Sequence, residues 1–317
     1  MTSSVHAFGN GSPVSGMATT VFGKAILAGE HAVIRGYPAI VFPVPARSLH
    51  LRYTKTNEAA TSTFKGKHGD ELKLLFWGVI ERACEMTGLR RDSIRGHFEI
   101  ENSIPVGAGM GASGALCVAV GRWFEWREKV SATELHEFCR QLENLFHGES
   151  SGLDVAVAAS SYGLRFVRGG SRSRIALAWK PQWFVSYSGQ RGITSECVAR
   201  VKALHERDPE RGRRIDEQMR DAVVIAEAAL LKFDDGSFSE LARAIELACS
   251  CFVQWDLVNG EIGTHMQMLR SRGAVAVKPT GSGEGGFVLS LWKNAPPDEL
   301  VGDHLGQLIS LNPVEAV

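Results

Sequence analysis

A run of small residues at positions 104–115 constrains this 317-residue chain more than any other feature. It reads IPVGAGMGASGA and places Gly107, Gly109 and Gly111 at alternate positions, directly before an apolar helical segment. Glycine adopts positive φ angles and close backbone approaches that other residues avoid. The pattern therefore predicts a tight loop that follows a strand at Phe98–Ile100 and ends at a helix N-terminus.

Such a loop can present backbone amides and the positive end of a helix dipole to a polyphosphate. A purely structural turn is the alternative at this stage, because glycine-rich turns before helices are common. Two other nucleotide-binding loops do not fit. No Gly-Lys-Ser/Thr closes the run as in a Walker A loop, and no acidic residue ends a second parallel strand about 20 residues later, as a dinucleotide-binding fingerprint requires.

Composition narrows the classes of partner and compartment. Lys plus Arg and Asp plus Glu each number 35, whereas a nucleic-acid partner would favour a basic surplus. Cys249 and Cys251 lack the spacing of a zinc site, so we expect the six cysteines to be reduced and buried. No apolar run reaches the ~18 residues of a membrane helix and no signal peptide is visible, which predicts a cytoplasmic protein.

Hydrophobic periodicity outlines the secondary structure. Strands are predicted at Val21–Leu27, Ala39–Val44, Leu49–Tyr53, Tyr162–Val167, Ile175–Trp179, Trp183–Tyr187, Gly273–Lys278 and Gly286–Leu291. Helices are predicted at Glu71–Met86, Ala132–Phe146, Ile215–Lys232 and Phe238–Gln254, in addition to the helix after the glycine loop. Strands and helices occur in runs without regular βαβ alternation, which favours an α+β fold with a largely antiparallel sheet.

The length favours two domains, since one domain typically takes about 100–200 residues. Residues 1–18 are rich in Ser and Gly and lack periodicity, so we expect a flexible leader. A Gly-, Ser- and Arg-rich stretch at Arg168–Ser173 divides the rest into an N-terminal domain at 19–170 and a C-terminal domain at 171–317.

Three further segments extend the signal of the glycine loop. They read GKAILAGEHAV at 23–33, ENLFHGESSGLD at 143–154 and KPTGSGEGG at 278–286. Together with the glycine loop, these segments resemble the motifs of the GHMP kinases (galactokinase, homoserine kinase, mevalonate kinase, phosphomevalonate kinase), in their mevalonate-kinase form. The resemblance spans about residues 23–290, and the order of its motifs makes it more specific than any single segment.

The resemblance implies a GHMP kinase fold, with an N-terminal domain like domain 2 of ribosomal protein S5, a ferredoxin-like C-terminal domain and a cleft between them for the active site. It implies ATP and Mg²⁺ as cofactors. Asp154 is the implied catalytic carboxylate, with Lys24 beside it, and Ser113 and Glu143 are the implied Mg²⁺ ligands. The implied ATP-binding residues are Pro105, Gly107, Ala108, Gly109, Met110, Gly111, Ala112 and Ser113. The implied substrate-binding residues are Lys24, Glu30, His31, Asp154, Thr194, Thr280 and Gly281.

These residue types suit phosphoryl transfer, which requires charge neutralisation and positioning of the acceptor hydroxyl. Each residue also has a structural alternative at this stage. Asp154 and Ser113 could cap helices, and Glu143 could be an exposed helical carboxylate or pair with Arg140. Lys24 could be a solvated strand residue, and His31 could be a buried structural histidine.

The chain departs from the family motifs at several positions. Ala112 replaces a serine, which removes one hydroxyl from the phosphate loop but keeps its backbone amides. Val155 replaces the asparagine that usually follows the catalytic aspartate, and residues 187–189 read YSG instead of DTG before the segment that ends at Thr194. Glu284 replaces a glycine, so its side chain must either face solvent or repel a phosphate.

The resemblance implies ATP-dependent phosphorylation of a small alcohol, with mevalonate as the expected acceptor and isoprenoid biosynthesis as the setting. Phosphomevalonate kinase, a mevalonate 3-kinase and a sugar or homoserine kinase are alternatives with the same fold. From another class, a catalytically inactive protein that binds a metabolite is the alternative. No nucleic-acid or membrane partner is expected, and a homodimer is left open.

Overall fold

The structure is a computed structural model that describes residues 16–147, 150–302, 304 and 306–312. Its strands are β1 Gly16–Ala28, β2 Ala39–Ala59, β3 Thr61–Lys65, β4 Arg95–Asn102, β5 Leu164–Phe166, β6 Arg172–Arg174, β7 Gln182–Tyr187, β8 Ala276–Thr280, β9 Phe287–Trp292 and β10 Ile309–Ser310. Its α-helices are α1 Lys73–Thr87, α2 Ala112–Trp126, α3 Leu135–His147, α4 Leu153–Ala158, α5 Thr194–Arg207, α6 Pro209–Leu231, α7 Ser237–Gln254 and α8 Glu261–Ser271.

The chain forms two compact units that interleave in sequence. The first holds the described residues up to Gly23, together with Arg47–Val106 and Gly111–Ser161. The second holds Lys24–Ala46, Gly107–Met110 and the described residues from Tyr162 onward. The division of the sequence at residues 168–173 stays a prediction. β1 begins at Gly16, inside the predicted leader, and residues 1–15 of that leader lie outside the described part.

The first unit places α1 and α2 against a sheet and α3 against α2. β4 pairs antiparallel with the second half of β2, Leu49 opposite Asn102, and parallel with β3. Tyr53, Phe98 and Trp123 pack with ring centroids 4.8 to 5.3 Å apart. α2 is apolar on nearly every face and is buried along most of its length, so its position is set by packing on all sides.

The second unit contains an antiparallel sheet in the order β10-β7-β9-β8. α8 packs on this sheet through Ile262 and Leu269, which join a core that includes Val277, Val288 and Trp292. The first half of β2 pairs with β5, and β5 pairs with β6. The described strand pairs with a stated direction are antiparallel except β3–β4, so the predicted, largely antiparallel α+β sheet is confirmed.

Most predicted elements are confirmed, although β2 is a single strand where two were predicted, and β1 and α6 begin earlier than predicted. β3 and β10 were not predicted. The predicted strand Ile175–Trp179 is wrong. The strand there is β6, at 172–174, and the backbone then bonds to the end of α6, where Ala178 N and the Trp179 indole donate to Leu230 O and Ala229 O. α5 and α8 were not predicted, because each buries only a narrow stripe, such as Cys197, Val201 and Leu204 in α5.

The contact between α2 and α3 predicts that alanine substitutions at two glycines change the free energy of unfolding in opposite directions. A Cβ at Gly121 in α2 would lie 2.3 Å from Cys139 Sγ, whereas a Cβ at Gly78 in α1 would meet no atom within 4 Å. We expect Gly121→Ala to lower the free energy of unfolding by about 1–3 kcal/mol through overpacking. The control Gly78→Ala should raise it by about 0.5–1 kcal/mol, because alanine is the better helix former.

Urea denaturation of both variants measures these changes. The double variant Gly121→Ala/Cys139→Ala should lose less stability than the sum of its two single changes, because removal of the thiol relieves the overlap. Additive losses would contradict the proposed contact.

Candidate active site

Asn102, the last residue of β4, shapes the entry to the glycine loop. Its side-chain amide donates to Ile104 O at 2.9 Å, and Ile104 N donates to Asn102 Oδ1 at 3.1 Å. The chain then passes through Gly107, Gly109 and Gly111, with φ angles of +70°, +85° and +78°. Those angles lie in the region that favours glycine, so the predicted tight loop is confirmed.

α2 begins directly after this loop, and Ser113 does not cap it. The N-cap residue is Gly111, with no side-chain capping bond, and Ser113 is the second residue of the helix. The alternative that Ser113 is a helix cap is therefore wrong. In the first turn of this 15-residue helix, the backbone N–H groups point toward the N-terminus. The helix dipole favours an anion at that end.

Two acidic residues approach the first turn of α2 from different helices. A Cβ at Gly114 would lie 3.1 Å from Glu143 Oε1, which comes from α3, and 3.1 Å from Asp154 Cβ, which comes from α4. Glycine at this position therefore allows both acidic residues to pack beside the helix N-terminus. The structure thus brings Glu143 and Asp154 together beside Gly114, the residue that follows Ser113. The roles assigned to these residues stay predictions.

Glu143 is buried, with 2% of its surface exposed. The Ser150 hydroxyl donates to Glu143 Oε2, and Gly152 N donates to Ser150 Oγ at 3.0 Å. Arg140 makes a bidentate pair with Glu137, at 2.6 and 2.8 Å. The alternative of an exposed Glu143 is wrong, and the hydrogen bond from Ser150 holds the carboxylate in a fixed orientation.

Asp154 is the second residue of α4, not its cap. The helix begins at Leu153, and its N-cap is Gly152 with φ +81° and no side-chain capping bond. The capping alternative for Asp154 is therefore wrong. The start of α4 therefore does not depend on the Asp154 side chain.

Lys24 lies on β1 in the second unit and is buried, with 6% of its surface exposed. Its backbone N donates to Met110 O at 2.9 Å, so β1 fixes the second half of the glycine loop. The alternative of a solvated strand residue is wrong. Burial raises the pKa of Glu30, and the charge of Lys24 is the smallest of several causes that oppose this rise.

Glu30 and Lys278 form a buried ion pair that joins the first and third motifs. Lys278 Nζ lies 2.5 Å from Glu30 Oε1 and also donates to Ile26 O and Pro279 O. Burial raises the pKa of Glu30 and lowers that of Lys278, and the attraction between the two opposes both shifts. Lys278 was not predicted as a site residue, although it opens the third motif and its position there was the available signal.

His31 packs inside the second unit. Its Nε2 lies 2.9 Å from Ser282 O, and its ring makes edge contacts with Phe252 and Trp255 at 5.9 and 5.1 Å. Burial lowers the pKa of His31 to about 4. The imidazole is therefore neutral near pH 7, and Nε2 donates to the carbonyl. These contacts match a buried histidine, and a role in substrate binding stays a prediction.

The third loop, Gly281–Gly286, packs backbone to backbone against the glycine loop. A Cβ at Gly281 would lie 3.5 Å from Gly109 O, and a Cβ at Gly286 would lie 2.8 Å from Ala108 O. Thr280, just before the third loop, accepts a hydrogen bond from Ile26 N at 2.8 Å. The two glycine-rich segments therefore shape each other, as their shared assignment to one site predicts.

Thr194 and Glu284 lie beside this packed region. Thr194 is the exposed first residue of α5, and its Oγ1 lies 3.4 Å from Ser282 Oγ. Glu284 pairs with Arg200, whose Nη1 lies 2.5 Å from Glu284 Oε1. Sequence reasoning missed Arg200, as well as Arg191, whose Nη1 would lie 3.7 Å from a Cβ at Gly107. Neither carries a periodicity or spacing signal.

The side chains near the first turn of α2 include possible ligands for a metal ion. Within the described ranges, no group of three or more His, Cys, Asp or Glu side chains could hold a metal ion. Ser113 and Glu143 offer one hydroxyl and one carboxylate. Mg²⁺ commonly takes one or two protein oxygens and completes its shell with water and phosphate, so this pair fits Mg²⁺ in the presence of a nucleotide.

No helix in the described part of the chain is long and apolar enough to cross a membrane. All six cysteines are buried and free. Burial, and secondly the charge of Glu143, raises the pKa of the Cys117 thiol well above its usual value. The predicted burial of the thiols is confirmed, and their reduced state stays a prediction.

Comparisons with known proteins connect this geometry to a family. Residues 75–163 match the GHMP kinases N terminal domain. The mevalonate kinase of Archaeoglobus fulgidus is 29% identical over 284 residues, which cover 89% of this chain and 94% of that protein.

Solved structures extend the likeness to the fold. L. major mevalonate kinase in complex with R-mevalonate has a TM-score of 0.73 at 20% identity and covers 87% of both chains. Streptococcus pneumoniae phosphomevalonate kinase, solved with phosphomevalonate and AMPPNP, has a TM-score of 0.70 at 16% identity, with 88% of this chain and 92% of that chain covered. The predicted α+β GHMP kinase fold is confirmed. Fold similarity does not separate these two acceptors.

The burial of His31 predicts how stability depends on pH. Its pKa is about 4 in the folded chain and about 6.5 in an unfolded chain. Between these values the unfolded state binds a proton that the folded state does not, so stability falls as pH falls. We expect wild type to lose about 2 kcal/mol more than His31→Gln between pH 7 and pH 4.5.

Urea denaturation at the two pH values measures this difference. Glutamine keeps an amide donor for Ser282 O but cannot titrate, which makes His31→Gln the matched control. Equal losses in both proteins would show that His31 titrates normally in the folded state.

Proposed function

We propose that this chain, a protein of the GHMP kinase fold, is a mevalonate kinase that transfers the γ-phosphoryl group of ATP to mevalonate to give 5-phosphomevalonate. The observation that carries the proposal is the approach of Glu143 and Asp154 to Gly114, in the first turn of the helix that follows the glycine loop. This arrangement combines an anion-binding helix end with two carboxylates. The relative and the first solved structure named above are mevalonate kinases, which favours mevalonate as the acceptor.

The phosphates of ATP would bind the glycine loop, from Pro105 to Ser113. Left-handed glycines remove side chains from the approach, and the amides at the start of α2 carry partial positive charge. Ala112 lacks the hydroxyl that serine would supply, but the amides do not depend on it. Binding at a preformed loop fixes the position of the γ-phosphate before transfer.

Asp154 is the proposed catalytic carboxylate. It would accept the proton of the acceptor hydroxyl or orient that hydroxyl for attack on the γ-phosphorus. The bond from the acceptor oxygen to phosphorus forms as the bond from phosphorus to the β–γ bridging oxygen breaks, and ADP leaves with that oxygen. Lys24 is the proposed catalytic cation that offsets negative charge during transfer.

Mg²⁺ is the proposed metal cofactor, held by Ser113 and Glu143. When bound, it would neutralise charge on the phosphate oxygens. Ser150 orients Glu143 by donating to Oε2, which leaves Oε1 on the side of α2. The Glu143 carboxylate is therefore held in one orientation for Mg²⁺, whereas an exposed carboxylate would change its orientation freely.

Glu30, His31, Thr194, Thr280 and Gly281 are the proposed acceptor-binding residues. They share one unit, and two hydrogen-bonded links connect the first motif to the third, from Ile26 N to Thr280 and from His31 to Ser282. Neutral His31 can accept a hydrogen bond from a hydroxyl at Nδ1 while Nε2 donates to the carbonyl. A cytoplasmic location, which the free thiols favour, and a homodimer are also proposals.

The test of the proposal is ADP release with MgATP against mevalonate, phosphomevalonate, homoserine and galactose. Wild type should turn over mevalonate in preference to the others. Asp154→Asn should lower kcat by about 10²–10⁴-fold, because general-base assistance is lost, with a small change in the KM for ATP.

The control Asp221→Asn replaces an exposed carboxylate on α6 that pairs with Arg220, and should leave kcat unchanged. Turnover of another alcohol in preference to mevalonate would support the proposed mechanism but contradict the proposed substrate. ATP binding without turnover of any acceptor would favour an inactive metabolite-binding protein. Full activity of Asp154→Asn would contradict the assigned role.

The proposed metal ligand gives a separate prediction. Glu143→Gln keeps the size of the side chain but removes its charge, so half-maximal activity should require about tenfold more Mg²⁺. Glu137→Gln, on the same helix, is the control because Glu137 pairs with Arg140. A titration of Mn²⁺ into the ATP complex, followed by electron paramagnetic resonance, measures metal affinity directly. Equal metal affinity in wild type and Glu143→Gln would contradict the assignment.

A further inference from the structure

We propose that Arg200 is a positioning residue that holds the third loop through Glu284 and thereby sets the affinity for ATP. This inference rests on the proposed function, because ATP is the ligand whose site the third loop helps to shape. Arg200 does not itself contact the substrate in this account. It acts through a glutamate that occurs where the resembling motif has glycine.

One guanidinium joins three segments of the second unit. Arg200 projects from α5, and its Nη1 lies 2.5 Å from Glu284 Oε1 in the third loop. The same nitrogen donates to Asp256 O at 2.7 Å, and Asp256 Oδ2 lies 3.6 Å away. Asp256 follows the end of α7, so this single side chain links α5, α7 and the third loop.

The segments that Arg200 joins include two residues with unusual backbone angles. Glu284 has φ +55° and Asp256 has φ +60°. Few residues other than glycine, asparagine, aspartate and histidine enter this region, so Glu284 is the less usual of the two. Glu284 N also donates to Leu257 O at 2.9 Å. A non-glycine residue persists in such a conformation when its surroundings hold it there. The ion pair with Arg200 supplies part of that restraint.

The third loop has little room to move without affecting its neighbours. Gly286 N donates to Gln190 O at 2.7 Å, and a Cβ at Gly192 would lie 2.4 Å from Gly283 O. On its other side, Gly281 and Gly286 approach Gly109 O and Ala108 O, as described above. A shift at Glu284 therefore reaches the backbone that we assign to ATP binding.

The charge of Glu284 is the second reason to connect Arg200 with ATP binding. Glu284 is 23% exposed on its side chain, and its carboxylate sits in a loop that packs against the proposed phosphate-binding backbone. Arg200 neutralises that carboxylate. Removal of Arg200 alone would leave the negative charge of Glu284 uncompensated, and that charge repels a triphosphate. Replacement of Glu284 by glycine as well would remove this charge. It would also remove the need to hold position 284 at a positive φ, because glycine accepts that conformation.

The experiment compares three variants by steady-state kinetics and by equilibrium binding of MgATP. Arg200→Ala should raise the KM and Kd for ATP about three- to tenfold, with kcat changed less than about twofold. Glu284→Gly should stay within about twofold of wild type. The double variant Arg200→Ala/Glu284→Gly should return to the value of Glu284→Gly, because the loss depends on the unpaired carboxylate.

The matched control is Arg243→Ala, which breaks an ion pair with Glu240 on α7 at a similar separation, 2.7 Å, and should leave the KM for ATP unchanged. Amide hydrogen exchange at Glu284 and Gly286 should quicken in Arg200→Ala and not in Arg243→Ala. Arg200→Lys keeps the charge with fewer donors, and should give an intermediate KM even if Arg200→Ala does not fold.

An unchanged KM for ATP in Arg200→Ala or Arg200→Lys would overturn the proposal, as would a loss that Glu284→Gly fails to rescue. These outcomes differ from failure of the proposed function. If wild type binds MgATP but phosphorylates none of the alcohols, the effect of Arg200 on the Kd for ATP still stands. If mevalonate is phosphorylated but Arg200 has no effect on ATP, the function stands without the positioning role.

Discussion

Burial of α2 on nearly all sides is the constraint on which the proposed site depends. Because apolar contacts fix this helix along its length, its N-terminus has a fixed position at the end of the glycine loop. Gly114 then decides how closely α3 and α4 can approach, since any side chain there would meet Glu143 and Asp154. The fixed helix N-terminus and the approach of two acidic residues to it are consequences of one packing arrangement.

The second unit depends on a different interaction, the buried pair of Glu30 and Lys278. Breaking one partner of such a pair leaves an uncompensated buried charge, which typically costs about 3–5 kcal/mol. The pair joins residues that are 248 positions apart and fixes the first motif against the third. Thr280 and His31 repeat this link through hydrogen bonds to Ile26 and Ser282, so residues distant in sequence form one polar network.

The sequence was sufficient for features that local patterns encode. Alternating glycines predicted the tight loop before α2, and apolar spacing predicted α1, α6 and α7 within a few residues. Features that depend on tertiary packing were out of reach. Several features arise only when distant segments meet, and no spacing rule predicts them. They are the burial of Lys24 and Glu143, the pairing of Lys278 and the link from Arg200 to Glu284. The strand predicted at 175–179 failed because the end of α6 competes for its backbone hydrogen bonds.

The most direct test of the central claim is ³¹P NMR of the product formed from mevalonate and ATP, recorded without proton decoupling. Phosphate on the primary 5-hydroxyl is adjacent to a CH₂ group, so a mevalonate 5-kinase predicts a phosphomonoester signal split into a triplet. An unsplit phosphomonoester signal would place the phosphate on the tertiary 3-hydroxyl and contradict the account. The absence of any new phosphomonoester, with ATP unchanged, would contradict it as well.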